Sequence, residues 1–309
     1  MSQSGVGSQN IVCERPDGTA IAVLRITRPS TRNAVTLDMV EQFCQTLTEL
    51  EQDHAVKAIL LTGDGADLTV GLDIADATTM YRQADADESA RIPSLRARLS
   101  VHDRYFWGRG GLYARVARCP KVTILAARGA CFGVGLYLAL CCDIVVAGRS
   151  SRFAQPRWRH LGADGDLTML INAVGLKRTR EMVFCGAEWD AAAAERYGLV
   201  DRVVADEEVE ALAFGFGATV SGVVRDGIAA EKALALATLD KMQVSTGFAV
   251  ATVMGAMASN IHFRPGEFNF LRELRDHGQA EARRRAQEYF GAPSEEIKRA
   301  LPVTGEASA

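Results

Sequence analysis

The sequence predicts a mixed α/β fold in which helices pack against β-sheets. Two short runs rich in branched apolar residues, Ile21–Ile26 and residues 57–62, have the composition of buried strands. Between them, residues 36–54 carry apolar side chains at helical spacing, and Thr36 stands where an N-cap is expected. A strand, a helix and a second strand in this order are typical of helices packed on sheets.

The same alternation continues along the chain. Val122–Ala127 is predicted to be a strand, a Gly-rich bend and an apolar helix over 136–142 follow it, and a further strand covers 144–147. Residues 76–115 differ, because they are charged and Arg-rich with irregularly spaced apolar residues. We interpret them as an inserted helix and loop.

The domain boundaries follow from these patterns. We predict a core over residues 10–205 that carries the insertion at 76–115, and a helical region over 206–292. The polar residues 293–309 are predicted to be a disordered tail.

The composition is that of an ordinary globular protein. The 309 residues are 48% hydrophobic and 24% charged, and 35 Lys and Arg against 38 Asp and Glu leave a formal net charge of −3. This balance argues against a general nucleic-acid binder. The apolar runs are too short to span a membrane, the first residues lack a signal-peptide core, and the seven cysteines form no C-x-x-C pair. We therefore expect reduced, buried thiols and a cytoplasmic location, with no membrane partner.

Two Gly turns are the first candidate functional elements. Residues 68–73 (LTVGLD) and 129–135 (GACFGVG) each lead from a predicted strand through glycine into a predicted helix. Such turns point backbone N–H groups toward one spot, where they can bind an anion or an oxyanion. Glycines also serve tight turns and close packing, so each segment alone is a weak signal.

Five segments in order make the chain similar to a known family. They are RPSTRNAV at 28–35, GLDIAD at 71–76, RCPKVTILAARGACFGVG at 118–135, ALCCDIVVA at 139–147 and ERYGLVDRVV at 195–204. Together they resemble the crotonase superfamily of enoyl-CoA hydratases and isomerases. The resemblance implies a spiral of ββα units with a C-terminal helical region, assembled as a homotrimer or homohexamer. Locally the chain is most similar to the dienoyl-CoA isomerase branch.

The resemblance also implies a chemistry. Two backbone N–H groups, by position those of Val70 and Val134, are expected to hold the thioester carbonyl oxygen while an enolate forms. Coenzyme A enters as part of the acyl-CoA substrate, and no other cofactor is expected. No metal-ligand spacing is visible in the sequence.

The acid–base residues depart from the family pattern. The first family glutamate corresponds to Tyr137, and the second corresponds to Arg157. Hydration by two carboxylates that position and deprotonate one water therefore does not carry over to this chain.

Asp164 is the principal candidate for proton transfer. The segment that ends in it, LGAD at 161–164, resembles the one that ends in a catalytic aspartate in dienoyl-CoA isomerases. The alternative is that Asp164 and Asp166 cap the helix predicted to begin near Leu167. His160 is a second candidate, either as a base or paired with Asp164 to activate water, and Tyr137 is a third; packing roles are the alternatives for both.

The substrate-binding candidates are mainly cationic. CoA carries phosphates, which cationic side chains bind well, and a cation beside the acyl group can bind a carboxylate. The candidates are Arg28, Arg32, Asp73, Arg157 and Trp158.

The sequence thus predicts an enzyme that isomerises a double bond in an acyl-CoA thioester through an enolate, with Asp164 as the acid and base. Isomerisation needs only one group to move a proton between carbons. Two alternatives stay open. One is C–C bond hydrolysis of a β-dicarbonyl compound by His160 and Asp164, and the other is a non-catalytic acyl-CoA-binding or assembly subunit.

Overall fold

The computed structural model describes residues 10–74, 76, 94–161, 165, 167–258 and 261–291. Within them, six strands form the main sheet in the order β1-β2-β3-β4-β6-β9, where only β1 is antiparallel to its neighbour. These strands are β1 (Ile11–Glu14), β2 (Ile21–Ile26), β3 (Ala58–Gly63), β4 (Val122–Ala127), β6 (Ile144–Gly148) and β9 (Arg202–Val204). A smaller sheet has the order β5-β7-β8, formed by β5 (Ala130–Phe132), β7 (Arg152–Ala154) and β8 (Trp189–Asp190).

Helices flank the sheets on both sides. Between β3 and β4, a π-helical turn covers Asp103–Trp107. The described helices are α1 (Leu37–Gln52), α2 (Leu95–His102), α3 (Leu112–Arg118), α4 (Val134–Cys141), α5 (Arg157–Leu161), α6 (Thr168–Cys185), α7 (Ala191–Arg196), α8 (Val209–Ser221), α9 (Arg225–Lys241), α10 (Val244–Met257), α11 (Phe270–His277) and α12 (Gln279–Phe290).

The main sheet is buried on both faces, which explains its nearly continuous apolar strands. In β2, Leu24 and Ile26 face the large core that includes α1 and α4, whereas Ile21 and Val23 face the core formed with α8. Successive side chains of a strand point to opposite faces, so a single strand supplies both cores.

The predicted elements are largely confirmed. Thr36 caps α1, because its side chain accepts a hydrogen bond from the Met39 N–H at 3.2 Å. The helix predicted over 136–142 begins earlier, at Val134, and the 76–115 segment contributes α2 and part of α3. The predicted tail at 293–309 lies outside the described residues. The expectation that all cysteines are buried is wrong for Cys185, which is exposed at the end of α6. Three others are only half-buried, namely Cys13, Cys44 and Cys142.

Candidate active site

The site is built where the two Gly turns meet. Residues 68–70 follow β3 and pair with β5, since the Thr69 N–H donates to the Ala130 carbonyl at 2.9 Å and the Phe132 N–H donates to the Thr69 carbonyl at 3.1 Å. Gly71 and Gly133 then turn the two chains with φ of +98° and +52°, values that favour glycine. A Cβ on Gly71 would stand 3.8 Å from the Gly133 Cα. The turns therefore touch.

One backbone N–H follows each of these glycines. The Val35 N–H donates to the Gly71 carbonyl and the Asp73 N–H donates to the Val35 carbonyl, at 2.9 and 2.8 Å, so the intervening Leu72 N–H faces away from Val35. Val134 is the first residue of α4, where N–H groups lack a partner within the helix. Neither the Leu72 N–H nor the Val134 N–H has an acceptor among the described residues.

The structure does not leave the Val70 N–H available. This group donates to the Arg32 carbonyl at 3.1 Å and so holds the 28–33 turn against the first Gly turn. An N–H that is already bonded is not a preorganised oxyanion donor. We expected this donor at Val70, but the N–H without an acceptor among the described residues is that of Leu72, which directly follows Gly71. The sequence shows that Leu72 follows Gly71, but it does not show that the Arg32 carbonyl accepts from the Val70 N–H.

Tyr137, three residues after Val134, is 4% exposed and lies in an aromatic cluster. Its ring meets Trp107 edge-on at 4.7 Å and Tyr113 at 5.0 Å between centroids. Phe248 from α10 lies 6.0 Å from Trp107. A cavity of about 220 Å³ beside this cluster shares Trp107 and Phe248 with it. Tyr137 is therefore part of an apolar wall beside this cavity.

Gly165 lies beside the same cluster. Asp164 and Asp166 lie outside the described residues, but Gly165 between them is buried against the Trp107 indole. A side chain at position 165 would overlap this ring. The backbone at position 165 therefore lies directly beside the aromatic cluster.

Arg157 begins α5 after Pro156, next to the second Gly turn. The Gln155 Oε1 accepts a hydrogen bond from the Arg157 N–H at 3.4 Å and lies 3.7 Å from where a Gly133 Cβ would be. Trp158 is half-buried, and its indole Nε1 is buried with no hydrogen-bond partner among the described residues. The structure thus places Arg157 and Trp158 on the segment that borders the candidate oxyanion donors.

His160 faces a different part of the molecule. Its ring stacks on Phe270 of α11 at 4.6 Å with only 10° between the planes, and Phe290 of α12 lies 6.3 Å away. Burial, and to a smaller extent the positive charges of Arg159 and Arg283, lower the pKa of His160 to about 4. The ring is therefore neutral at pH 7 and is packed between C-terminal helices.

Arg28 and Arg32 both contact carboxylates. The Arg28 Nη1 lies 2.7 Å from the Asp73 Oδ2 and also donates to the Ala34 carbonyl at 2.9 Å. Arg32 donates twice to Asp67, at 2.7 and 3.1 Å, although its own side chain is 63% exposed. These pairs fix the 28–33 turn beside the first Gly turn and leave the Arg32 guanidinium within reach of solvent.

No group of three metal-ligating side chains lies close together in the described part of the chain. None of the described helices combines the length and the apolar character that crossing a bilayer requires.

The sequence family described as enoyl-CoA hydratase/isomerase matches residues 17–275. The chain belongs to the crotonase superfamily of enoyl-CoA hydratases and isomerases. The 4-chlorobenzoyl coenzyme A dehalogenase-2 of Arthrobacter sp is 29% identical over 67% of this chain and 70% of its own length. The mitochondrial Delta(3,5)-Delta(2,4)-dienoyl-CoA isomerase of Dictyostelium discoideum is 26% identical over 63% of this chain and 65% of its own length.

The fold of this crotonase-superfamily chain also matches solved structures. An enoyl-CoA hydratase/isomerase from Xanthobacter autotrophicus Py2 superposes with a TM-score of 0.74 and covers 92% of this chain and 99% of its own, at 24% identity. The predicted fold class is therefore confirmed. The match to the family model supports a crotonase-superfamily enzyme that acts on acyl-CoA.

Proposed function

We propose that this enzyme isomerises a double bond in an acyl-CoA thioester through an enolate held by the N–H groups of Leu72 and Val134. The contact between Gly71 and Gly133 carries this proposal, because it brings the two following N–H groups to adjoining turns. Preorganised donors in a site without water stabilise a developing oxyanion, and each contributes several kcal/mol, roughly 3–4 by analogy with other oxyanion holes.

The reaction then needs a group that removes a proton from one carbon and returns it to another. The enolate spreads the charge over the thioester and the adjoining double bond, and reprotonation at a different carbon gives the isomer with no change in composition. With Tyr137 and Arg157 at the family's glutamate positions, the chain lacks the carboxylate pair that positions water.

Asp164 is our candidate for this proton carrier. The support is that the adjoining Gly165 is buried against Trp107, whose ring contacts Tyr137 one helical turn after Val134. Apolar aromatic surroundings raise the pKa of a carboxyl group, which favours its use as both acid and base near neutral pH.

The binding residues follow from the same geometry. Arg32 is exposed beside the first Gly turn and is our candidate for the CoA phosphates, with Arg28 and Asp73 fixing that turn. Arg157 and Trp158 lie on the segment next to the second Gly turn and are candidates for contact with the acyl group. The stacking of His160 on Phe270 supports a packing role for that ring, and so weakens the support for a C–C hydrolase that uses it.

The cytoplasmic location and the assembly into a homotrimer or homohexamer remain predictions. Apolar side chains exposed on α9 and α10 support assembly, because soluble monomers rarely expose large apolar patches. They include Leu234, Val250 and Val253, which are 70%, 53% and 50% exposed. Light scattering coupled to size exclusion measures the oligomeric mass directly.

The test incubates the purified enzyme with 2-enoyl-, 3-enoyl- and dienoyl-CoA thioesters and follows ultraviolet absorbance and product mass. We expect a spectral shift without a change in mass, lost in Asp164→Asn and kept in the matched control Asp166→Asn. A gain of about 18 Da, one water, establishes hydration instead. 4-Chlorobenzoyl-CoA belongs in the same panel because of the dehalogenase relatives, and chloride release from it, without isomerisation of any enoyl-CoA, would overturn the proposal.

A further inference from the structure

Gln155 carries a buried hydrogen-bond donor that no described residue uses. The residue is 3% exposed, and its Nε2 has no partner within the described part of the chain. Burying an amide without a partner costs free energy, so native proteins rarely leave such groups unsatisfied. One physical reason for an exception is a donor whose acceptor arrives with the substrate.

The backbone fixes which end of the Gln155 amide is the donor. The oxygen and the nitrogen of a side-chain amide are distinguished by the hydrogen bonds around them. Here the Arg157 N–H donates to Oε1 at 3.4 Å, which requires an acceptor at that position. The other end of the amide is therefore the NH₂ group, which has two N–H donors.

The same side chain lies against the second Gly turn. Gln155 directly follows β7, which pairs with β5, and the Gly133 N–H donates to the Ala154 carbonyl at 3.0 Å. The Gln155 Oε1 lies 3.7 Å from the position of a Cβ on Gly133. The two terminal atoms of an amide are only about 2.2 Å apart, so Nε2 is also next to this turn.

Several donors without acceptors lie around this turn. The Val134 N–H directly follows Gly133, and the Leu72 N–H lies on the adjoining turn. Trp158, on the helix that begins two residues after Gln155, holds a further buried N–H without a partner among the described residues. A group of donors that lacks acceptors is suited to an anionic oxygen, which accepts several hydrogen bonds at once.

We propose that the Gln155 amide is a third donor to the thioester oxygen, beside the N–H groups of Leu72 and Val134. This inference assigns a further catalytic residue and rests on the proposed enolate chemistry. When the enolate forms, negative charge develops on this oxygen, and a donor already in place stabilises that charge more than it stabilises the neutral thioester. The hydrogen bond from Gln155 is charge-assisted only in the enolate, so it contributes mainly to the rate. Gln155 itself transfers no proton.

The test uses acetoacetyl-CoA, a β-oxo thioester that ionises to an enolate and has no double bond to isomerise. Its enolate absorbs in the ultraviolet where the neutral thioester does not, so a pH titration of the complex gives the pKa of the bound ligand. Donors to the oxyanion lower this pKa below that of the free ligand. Gln155→Leu is expected to raise the pKa of the bound ligand by about 1–2, because one hydrogen bond to a charged group is lost.

A second variant separates the donor from a structural role. Gln155→Leu loses the Nε2 donor and also the acceptor for the Arg157 N–H. Gln155→Glu has the same size and, as a carboxylate, still accepts from the Arg157 N–H, but it has no donor and repels the enolate. We therefore expect a higher pKa of the bound ligand in Gln155→Glu than in Gln155→Leu. Gln45→Leu, at an exposed position of α1, is the matched control and is expected to titrate as the natural protein does. Circular dichroism checks the fold of each variant.

The outcomes distinguish this inference from the function on which it rests. An unchanged ligand pKa in Gln155→Leu, or a change in Gln155→Leu that is absent from Gln155→Glu, overturns the third donor and leaves the two backbone donors in place. If the natural protein does not bind acetoacetyl-CoA, or does not favour its enolate, the oxyanion site itself is rejected, and this inference with it. The expected pKa changes in a protein that isomerises no enoyl-CoA uphold Gln155 as a donor and reject only the proposed isomerisation.

Discussion

Gly71 and Gly133 lie against each other, so close that a Cβ on Gly71 would stand 3.1 Å from the Phe132 carbonyl oxygen and 3.8 Å from the Gly133 Cα. Both have positive φ, and each is followed by an N–H with no acceptor among the described residues. The two donors of the candidate oxyanion site thus depend on a contact that a Cβ on Gly71 would crowd.

Gly71→Ala is expected to lower kcat/KM by roughly 10²–10³ while the protein stays folded. The added Cβ pushes the Phe132 carbonyl away and displaces one donor, and a φ of +98° strains alanine. Steady-state kinetics with circular dichroism check this. Gly215→Ala is the control, because a Cβ there meets nothing within 4 Å and φ is not positive. Full activity in Gly71→Ala contradicts the donor assignment.

Tyr137→Phe is expected to keep the fold and to change kcat/KM by less than about tenfold, because the ring packs in the aromatic cluster whether or not it carries a hydroxyl. Tyr137→Ala is expected to lower the free energy of unfolding by about 3–5 kcal/mol, as for other large aromatic truncations in a core. Urea denaturation and kinetics measure the two effects. A loss of about 10³-fold in Tyr137→Phe would instead place the hydroxyl in proton transfer.

Asn33→Ala is expected to lower the free energy of unfolding by about 2–4 kcal/mol. The Asn33 side chain accepts from the Arg28 N–H at 2.9 Å and donates to the Asp64 and Asp67 carbonyls at 2.8 and 2.7 Å. It is fully buried, so its loss leaves backbone groups unsatisfied. Chemical denaturation provides the test, with the exposed Asn172→Ala as the control. Equal free energies of unfolding for Asn33→Ala and Asn172→Ala would exclude a stabilising role for the Asn33 hydrogen bonds.

Acid is expected to destabilise the enzyme through the buried His102 and the half-buried His160. The folded pKa values of His102 and His160 are about 3 and about 4, below the unfolded value of about 6.5. The unfolded chain takes up these protons at a higher pH than the folded chain does. The contribution of the neutral rings to the free energy of unfolding is therefore complete above pH ~6.5 and is lost as the pH falls toward the folded pKa values. For His102 this amounts to ~2 kcal/mol between pH 7 and pH 5.

The variant His102→Gln lacks the titrating imidazole, so its comparison with the natural protein measures the contribution of His102. Urea unfolding at pH 7 and pH 5 is expected to show a smaller acid loss in His102→Gln than in the natural protein, with the exposed His54→Gln as the matched control. If the free energy of unfolding fell equally with pH in His102→Gln and in the natural protein, folding would not lower the pKa of His102. That result would contradict the prediction.

Local sequence patterns predicted most of the elements, because strand and helix signals are short-range. The apolar runs of β2 and β4 and the Thr36 cap of α1 stand where they were expected. The two Gly turns were also recognised, since positive φ and a following N–H are properties of a few adjacent residues.

The sequence by itself therefore determined the family, the fold class and the positions of the two Gly turns. Only the tertiary structure decided which N–H groups are available, because the Arg32 carbonyl that occupies the Val70 N–H comes from a distant turn. It also decided that His160 packs on Phe270 and that His102, which no motif marks, is buried over Gly255. Hydrogen-bond competition and burial depend on which distant segments meet, and no local pattern encodes that.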